Sequence, residues 1–168
     1  MRLQIWKCTI ALMLVLSASG TVFAQTRTLG ERAFSAEDME EIRALYARYN
    51  QGSDFRDTEL FLSAFAEDAV MTRGGRDIVG MDALRADRAE RYQGQTGDVG
   101  RRHQNSSILI EPTPDGRAIA KAYWFLLDVT VRPAAIISSG YYVDVFVRTA
   151  AGWKIKHRTL FADAVAAQ

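Results

Sequence analysis

The sequence is poor in the residues that cross-link small folds or bind metals. Its 168 residues include one cysteine, Cys8, and two histidines, His103 and His157. A single cysteine excludes a disulfide within the chain, so the fold must depend on its own hydrophobic core. The two histidines are far apart, and no cysteine pair or paired-carboxylate motif accompanies them, which argues against zinc or iron. Because no glycine-rich phosphate loop precedes a helix, we predict neither a metal nor a cofactor.

Neither sign of charge dominates the sequence. Arginine and lysine number 21 against 20 aspartates and glutamates, a net charge of +1, which gives no electrostatic basis for binding nucleic acid. Arginines are dense between 85 and 102, but acidic residues alternate with them, a pattern typical of a solvated helix and loop. The alternative is an anion-binding rim near His103. These arginines are Arg85, Arg88, Arg91, Arg101 and Arg102.

Residues 1–24 have the pattern of a cleavable secretory signal. Basic residues Arg2 and Lys7 come first, a short apolar stretch follows at 10–16, and a small-residue end closes the segment at Ala24. The apolar stretch falls short of the roughly 20 residues that span a bilayer, so no membrane anchor is predicted. We therefore expect cleavage near Ala24 and a periplasmic or secreted protein.

Helical periodicity governs the first half of the predicted domain, which we place at 35–165 after a flexible leader at 25–34. Ser35 is a suitable N-cap, and apolar residues then recur at helical spacing until Gly52. Asp57 is expected to cap a second, shorter helix. The elements that follow are a strand at 69–72 ended by Gly74-Gly75, a third helix at 82–92 and a glycine-rich loop at 93–100.

After residue 100 the apolar period changes from that of a helix to that of a strand. The order of three helices and then an antiparallel meander is an α+β plan. A strongly curved sheet of this kind forms a cone that the three N-terminal helices close. The four strands are predicted at 101–111, 117–131, 140–148 and 153–161.

Alternation along a strand assigns its residues to two faces. In the last strand it puts His157 on the inward face with Trp153, and Arg158 on the outer face. In the third strand it puts the valines between 143 and 147 in the core. Asp144 is then expected in an outer polar stripe, suited to a subunit contact or to pairing with Arg158.

One aspartate and one histidine form a candidate acid/base pair. Asp54 closes the first helix in a polar run, and His103 opens a strand whose same-side neighbours Asn105, Ser107 and Leu109 pass from polar to apolar, as a pocket wall does. A carboxylate and an imidazole are the side chains best suited to moving protons near neutral pH. The alternative is that both only satisfy backbone groups.

Several short segments, in their order and spacing, resemble the SnoaL-like branch of the NTF2-like superfamily. The segments are 49–57, 65–70, the strand of His103, 120–124, 140–148 and 152–155. The resemblance implies a cone-shaped α+β barrel with a deep apolar pocket for a small molecule. It also implies a homodimer formed through the outer face of the sheet.

Within that superfamily the acid/base layout is similar to the scytalone dehydratase and bile-acid dehydratase type. The aspartate and histidine of those enzymes match Asp54 and His103, which implies cofactor-free acid/base catalysis by a dehydratase or isomerase. Two features depart from the pattern. Ser53 stands where a tyrosine often precedes the aspartate, and no second histidine or acid occurs around Tyr123. The alternative is a non-catalytic ligand-binding module or a dimeric interaction module.

Further residues are expected to complete the pocket. Tyr49 and Tyr123 are candidate polarising donors, although both can equally pack as core with Trp124. Asp128 is a candidate second acid if its strand bends enough. The predicted ligand-binding residues are Tyr49, Asn105, Tyr123, Trp124, Asp128 and His157.

Overall fold

Six strands form one curled mixed sheet, and three helices pack against it. The computed structural model describes residues 33–163. In chain order the elements are α1 (Ala36–Asp54), α2 (Thr58–Leu62), β1 (Phe65–Arg73), β2 (Arg76–Val79), α3 (Gly80–Tyr92), β3 (Arg101–Pro112), β4 (Ala118–Asp128), β5 (Ala135–Thr149) and β6 (Gly152–Ala162). Across the sheet the strand order is β2-β1-β6-β5-β4-β3. The predicted α+β cone is confirmed.

The described part of the chain begins inside the predicted leader, at residue 33. The predicted signal at 1–24 and leader residues 25–32 lie outside the described residues. Phe34, which we had placed in the leader, packs the edge of its ring against Trp153, with ring centroids 5.9 Å apart. Within residues 33–163, no helix is both long enough and apolar enough to cross a membrane.

The start of α1 is the predicted one. Ser35 Oγ accepts a hydrogen bond from the backbone N–H of Asp38, and the Asp38 carboxylate accepts the backbone N–H of Ser35 at 2.9 Å. The helix ends at Asp54, the residue expected to close it, so Gly52, where the apolar periodicity ends, lies within the helix. Gly52 serves a close approach of two helices instead: a Cβ on Gly52 would lie 2.4 Å from the backbone nitrogen of Phe61.

The sheet is larger than predicted and is not a purely antiparallel meander. The first strand begins at Phe65 and pairs in parallel with β6, while the unpredicted β2 extends the sheet beyond it. Asp57 caps α2 as expected, and its carboxylate accepts the backbone N–H of Leu60. The helix α2 ends at Leu62, β1 begins at Phe65, and β1 lies on the side of β6 opposite to β5.

Two interior strands have bounds that differ from the prediction. The strand β4 ends at Asp128, and β5 begins at Ala135 and runs through Gly140 without interruption. Gly140 lies at a crowded position, since a Cβ there would lie 2.0 Å from the backbone oxygen of Phe161 and 2.7 Å from the ring of Trp124. The glycine therefore permits close packing inside the sheet and does not start the strand.

The faces predicted for β5 are reversed in the structure. Tyr142, Asp144 and Phe146 are buried, whereas Val143 is 42% exposed. The apolar core is built mainly from aromatic residues on this face, and the carboxylate of Asp144 is accommodated there by an ion pair with Arg158. The valine alternation alone could not identify the inner face, because both faces of this strand carry apolar residues.

A β-bulge also reverses the prediction for the second half of β6. Phe146 of β5 pairs with Ile155, but Val145 pairs with His157, so Lys156 is the extra residue. A bulge shifts the alternation by one residue. Arg158 is consequently fully buried and His157 faces the other side. A second bulge between Ser106 and Leu109 has the same effect in β3, where Leu109 is 61% exposed.

Candidate active site

The main cavity lies between the helices α1 and α3 and the sheet, and it has a volume of about 800 Å³. Its wall combines an aromatic and aliphatic surface with charged groups from several elements. The apolar and aromatic members are Tyr49, Trp124, Leu126, Tyr142, Leu160 and Phe161. The charged and imidazole members are Asp54, His103, Arg56, Arg73, Arg88, Arg91 and Arg101.

Asp54 and His103 meet at this wall. Asp54 is the last residue of α1 and is 3% exposed, and His103 is near the start of β3. One carboxylate oxygen of Asp54, Oδ1, lies 2.5 Å from His103 Nδ1, and the other, Oδ2, accepts the His103 backbone N–H at 2.9 Å. Both oxygens therefore hold one residue, which fixes the position and the orientation of the imidazole.

This contact defines which ring nitrogen can exchange protons. A carboxylate accepts hydrogen bonds, so the neutral imidazole beside Asp54 carries its proton on Nδ1. The lone pair is then on Nε2, which has no hydrogen-bond partner among residues 33–163. The His103 side chain remains 19% exposed at the cavity wall. This arrangement provides an oriented general base that becomes a general acid once it is protonated.

The aromatic wall beside the pair is tightly packed. Tyr49 meets Tyr142 edge-on at 5.8 Å, and Trp124 stacks on Tyr142 at 5.9 Å between ring centroids. Burial, and then the neighbouring Tyr49, raise the pKa of Tyr142 well above its usual value. The Trp124 indole N–H is buried without a hydrogen-bond partner in the described chain. A cavity ligand therefore meets aromatic surfaces and the protonated hydroxyl group of Tyr142.

A buried ion pair supports these tyrosines from within the core. Arg158 donates to both oxygens of Asp144 at 2.8 Å, and the Tyr46 hydroxyl donates to Asp144 Oδ2 at 2.7 Å. The guanidinium also lies against the rings of Tyr49 and Tyr142, at 4.3 and 4.1 Å from their centroids. Arg158 thereby fixes two rings of the cavity wall. The sequence interpretation considered the pairing of Asp144 with Arg158 but placed it on the outer face.

Of the eight predicted site residues, four line the cavity: Tyr49, Asp54, His103 and Trp124. The other four do not line it. Asn105 accepts a hydrogen bond from Asn50 of α1 at 2.7 Å, so it lies beneath the helix. Tyr123 is 49% exposed because the alternation of β4 directs Trp124 inward and Tyr123 outward.

Asp128 and His157 are occupied elsewhere. The Asp128 carboxylate pairs with Arg101 at 3.1 Å and accepts the backbone N–H of Thr130 at 2.9 Å, so it organises the end of β4. His157 Nε2 lies 3.0 Å from the Thr72 hydroxyl of the neighbouring strand. The β6 bulge is the reason that His157 misses the cavity.

Sequence reasoning did not place Arg56 and Arg73 at the cavity wall. It favoured a solvated helix and loop for Arg88, Arg91 and Arg101, because acidic residues alternate with them, and gave an anion-binding rim near His103 as the alternative. All three line the cavity. Concerning metals, residues 33–163 contain no group of three or more histidine, cysteine, aspartate or glutamate side chains placed to hold an ion.

The fold and this site together define a class of protein, an α+β cone with a carboxylate–imidazole pair in its cavity. The family model of the SnoaL-like domain matches residues 35–159. The chain therefore belongs to the SnoaL-like domain family, within the NTF2-like fold that the sequence resembled. No curated protein sequence matches the chain.

Solved structures share the fold at low sequence identity. A protein of unknown function with a cystatin-like fold from Nostoc punctiforme is 23% identical with a TM-score of 0.69, covering 79% of this chain and 96% of its own. A protein of unknown function from Mycobacterium tuberculosis is 26% identical with a TM-score of 0.66, covering 77% and 74%. A candidate scytalone dehydratase from Novosphingobium aromaticivorans is 23% identical with a TM-score of 0.63, covering 76% and 85%.

Proposed function

We propose that the protein binds a small, mostly apolar molecule in its cavity and transforms it by cofactor-free proton transfer, as a dehydratase or isomerase. The contact between Asp54 Oδ1 and His103 Nδ1, at 2.5 Å on the cavity wall, is the observation that supports this most directly. The SnoaL-like fold and its structural relative described as a candidate scytalone dehydratase favour the elimination of water.

In the proposed elimination, His103 acts first as base and then as acid. The Nε2 lone pair takes a proton from a carbon next to a carbonyl group, and the electrons of that C–H bond form the new double bond. The hydroxyl group on the next carbon leaves with the proton that the imidazolium returns, so water is released and the ring is neutral again. Asp54 accepts the Nδ1–H bond throughout and stabilises the transient imidazolium.

The aromatic wall supplies a donor for the carbonyl oxygen in this proposal. Tyr49 and Tyr142 line the same cavity as His103. Because the pKa of Tyr142 is raised, this phenol keeps its proton and can donate a hydrogen bond to a developing enolate. In this scheme Tyr49 is a second donor, and it replaces the tyrosine that the family pattern often has at position 53.

Deuterium exchange tests the proton-abstraction step without requiring the natural substrate. We expect the protein to accelerate exchange of the C1 protons of 2-tetralone in D₂O, followed by NMR. The variant His103→Asn keeps a donor towards Asp54 but removes Nε2, so exchange should fall by about 100-fold or more. The variant His157→Asn is the matched control, since His157 lies outside the cavity.

Two results would contradict the proposal. If the wild-type protein does not accelerate exchange, or if His103→Asn and His157→Asn lower it equally, His103 is not the base. If the protein is instead a non-catalytic binding module, we expect 2-tetralone to bind without any acceleration of its proton exchange. Calorimetric titration of 2-tetralone with the same samples distinguishes these two results.

The outer face of the sheet favours a further proposal, that two copies form a homodimer through it. Ile119, Tyr123 and Val143 are 42%, 49% and 42% exposed on adjacent strands β4 and β5. Apolar groups in such a patch are typical of an interface.

Export by the predicted signal also stays a prediction, and mass spectrometry of the N-terminus of the secreted or periplasmic protein would test it.

A further inference from the structure

Three arginines of the cavity wall converge on one carboxylate. Arg73 of β1 lies 2.5 Å from Asp87 Oδ1, and Arg88 Nε donates to Asp87 Oδ2 at 3.1 Å. Arg91, one turn further along α3, approaches the same oxygen at 3.8 Å. A fourth, Arg56, lies with Arg88 over the ring of Tyr92, at 4.8 and 5.6 Å from its centroid. We call Arg56, Arg73, Arg88 and Arg91 the arginine cluster; all four line the main cavity.

The arginine cluster carries more positive charge than the one carboxylate in contact with it can neutralise. Among residues 33–163, Asp87 is the only carboxylate within 4.0 Å of any of these four guanidinium groups. The other acidic groups near the cavity are engaged elsewhere, Asp54 with His103 and Asp128 with Arg101. Four guanidinium groups therefore face one carboxylate at the wall of a cavity that holds a ligand in our proposal.

Burial strengthens the effect of the excess positive charge at the arginine cluster. Asp87 and Arg88 are each 5% exposed, so their charges are poorly screened by water. Burial alone would raise the pKa of Asp87, but the hydrogen bonds from Arg73 and Arg88 outweigh it and lower the pKa, so Asp87 is ionised. Burial, and then the positive charges of Arg73 and Arg88, lower the pKa of Arg91. Arg91 thus lies in a net positive field.

Two buried donors at the cavity wall also lack partners. The Arg56 Nε atom and the Trp124 indole nitrogen are buried and have no hydrogen-bond acceptor in the described part of the chain. Trp124 is 5% exposed as a residue. A buried donor without an acceptor costs free energy, about 1–3 kcal/mol for a typical group, that a bound acceptor can recover. Both observations point to a ligand with acceptor oxygens.

We infer that the ligand of this cavity is an acid: an apolar, ring-containing molecule whose carboxylate binds at the arginine cluster while its apolar body lies against Tyr49, Trp124 and Tyr142. The inference rests on the proposed small-molecule site and names its ligand class. Arginine suits the carboxylate because its planar fork donates two parallel hydrogen bonds. Asp87 contacts Arg73, Arg88 and Arg91 and thereby orients their guanidinium groups before the ligand arrives.

Calorimetric titration with a matched pair of probes tests the inference. The probes are 2-naphthoate and 2-naphthamide, which have the same ring system and differ in charge. We expect naphthoate to bind the wild-type protein at least about tenfold more tightly than naphthamide, as one strong charged hydrogen-bond pair allows. Added sodium chloride should weaken the binding of naphthoate and leave that of naphthamide nearly unchanged.

Two arginine variants locate the carboxylate. Arg91→Gln removes a partly exposed member of the arginine cluster, and Arg56→Gln removes a second member from a different segment. Each should weaken naphthoate about tenfold and change naphthamide much less. Arg43→Gln, on the exposed side of α1, is the matched control with the same change in net charge, and it should leave both affinities unaltered.

Each outcome decides the inference. Equal affinities of the two probes for the wild-type protein, no binding of naphthoate, or an equal loss in Arg43→Gln and Arg91→Gln would each overturn it. Its failure is separable from failure of the proposed proton chemistry. Acceleration of 2-tetralone exchange by a protein that does not distinguish the two probes contradicts the acid ligand alone. Naphthoate selectivity without exchange contradicts the catalysis alone.

Discussion

At the scale of single residues, two of the buried carboxylates, Asp54 and Asp144, differ in what they do. Asp54 uses one oxygen to hold the imidazole of His103, which faces a cavity, and the other to accept the backbone N–H of the same residue. Asp144 uses both oxygens to hold Arg158, which is fully buried. The first arrangement leaves a ring nitrogen for chemistry, while the second arrangement leaves no access for a substrate. We therefore assign proton transfer to Asp54 and His103 and a supporting role to Asp144.

The supporting role of Asp144 predicts a large effect on stability. Asp144→Ala leaves the guanidinium of Arg158 buried without its carboxylate, and we expect the free energy of unfolding to fall by about 3–5 kcal/mol. Urea unfolding at neutral pH measures this change. The double variant Asp144→Leu with Arg158→Met should be more stable than Asp144→Ala, since it removes both charges.

An exposed ion pair is the control for that prediction. Asp115 pairs with Arg117 in the turn before β4, and both side chains are about half exposed. Asp115→Ala should change the unfolding free energy much less than Asp144→Ala, because water solvates the arginine that remains. Similar losses in the two alanine variants would show that burial is not what makes the Asp144 pair important.

At the scale of elements, local caps and strand bulges have different origins. The capping box of Ser35 and Asp38 and the Asp57 cap of α2 depend on residues three positions apart, so they can be recognised in the sequence. The bulge at Lys156 depends on how β6 pairs with β5, which no local pattern encodes. The caps were accordingly predicted, and the inward position of Arg158 was not.

The α1 cap carries a prediction on pH. Burial alone would raise the pKa of Asp38, but hydrogen bonds from Arg148, Trp153 and Ser35 outweigh it and hold the pKa well below its usual 3.8. The stabilisation by this carboxylate is therefore complete above the unfolded-state pKa and is lost as the pH falls below it. We expect Asp38→Asn to be less stable at pH 7 and to lose less of its remaining stability between about pH 5 and pH 2.5.

Urea unfolding at a series of pH values measures this difference in slope. Glu37→Gln, in the same first turn but exposed, is the control and should keep the wild-type slope. If Asp38→Asn loses stability on acidification as steeply as the wild-type protein does, the network of Asp38 with Arg148 and Trp153 is not ionised in the way the structure indicates.

At the scale of the whole molecule, the curled sheet separates two apolar surfaces. Its inner face holds the aromatic core and the cavity, and its outer face exposes Ile119, Tyr123 and Val143. The reversed alternation of β5 is the reason that a valine lies outside while a tyrosine and an aspartate lie inside. A chain that exposes such a patch on the outer face of its sheet is expected to cover it with a partner.

The proposed homodimer gives a prediction at this scale. Val143→Lys places a second positive charge opposite Lys121 in the middle of the outer face. We expect it to convert a wild-type dimer to a monomer by analytical ultracentrifugation. Val131→Lys is the control, because Val131 is similarly exposed, at 45%, but lies in the loop after β4 and not on a strand of the sheet. A wild-type monomer, or equal dissociation of both variants, would contradict an interface through the sheet.

The sequence by itself determined the α+β order of elements, the caps of α1 and α2, and the choice of Asp54 and His103 as the acid/base pair. Those features depend on local hydrogen bonds and on periodicity, or on a recognisable family layout. Only the tertiary structure decided which face of β5 is inner, where Arg158 and His157 point, and that Arg56, Arg73, Arg88 and Arg91 share one cavity wall. A bulge shifts every later residue of a strand to the opposite face, and four arginines from three segments meet only when the chain folds.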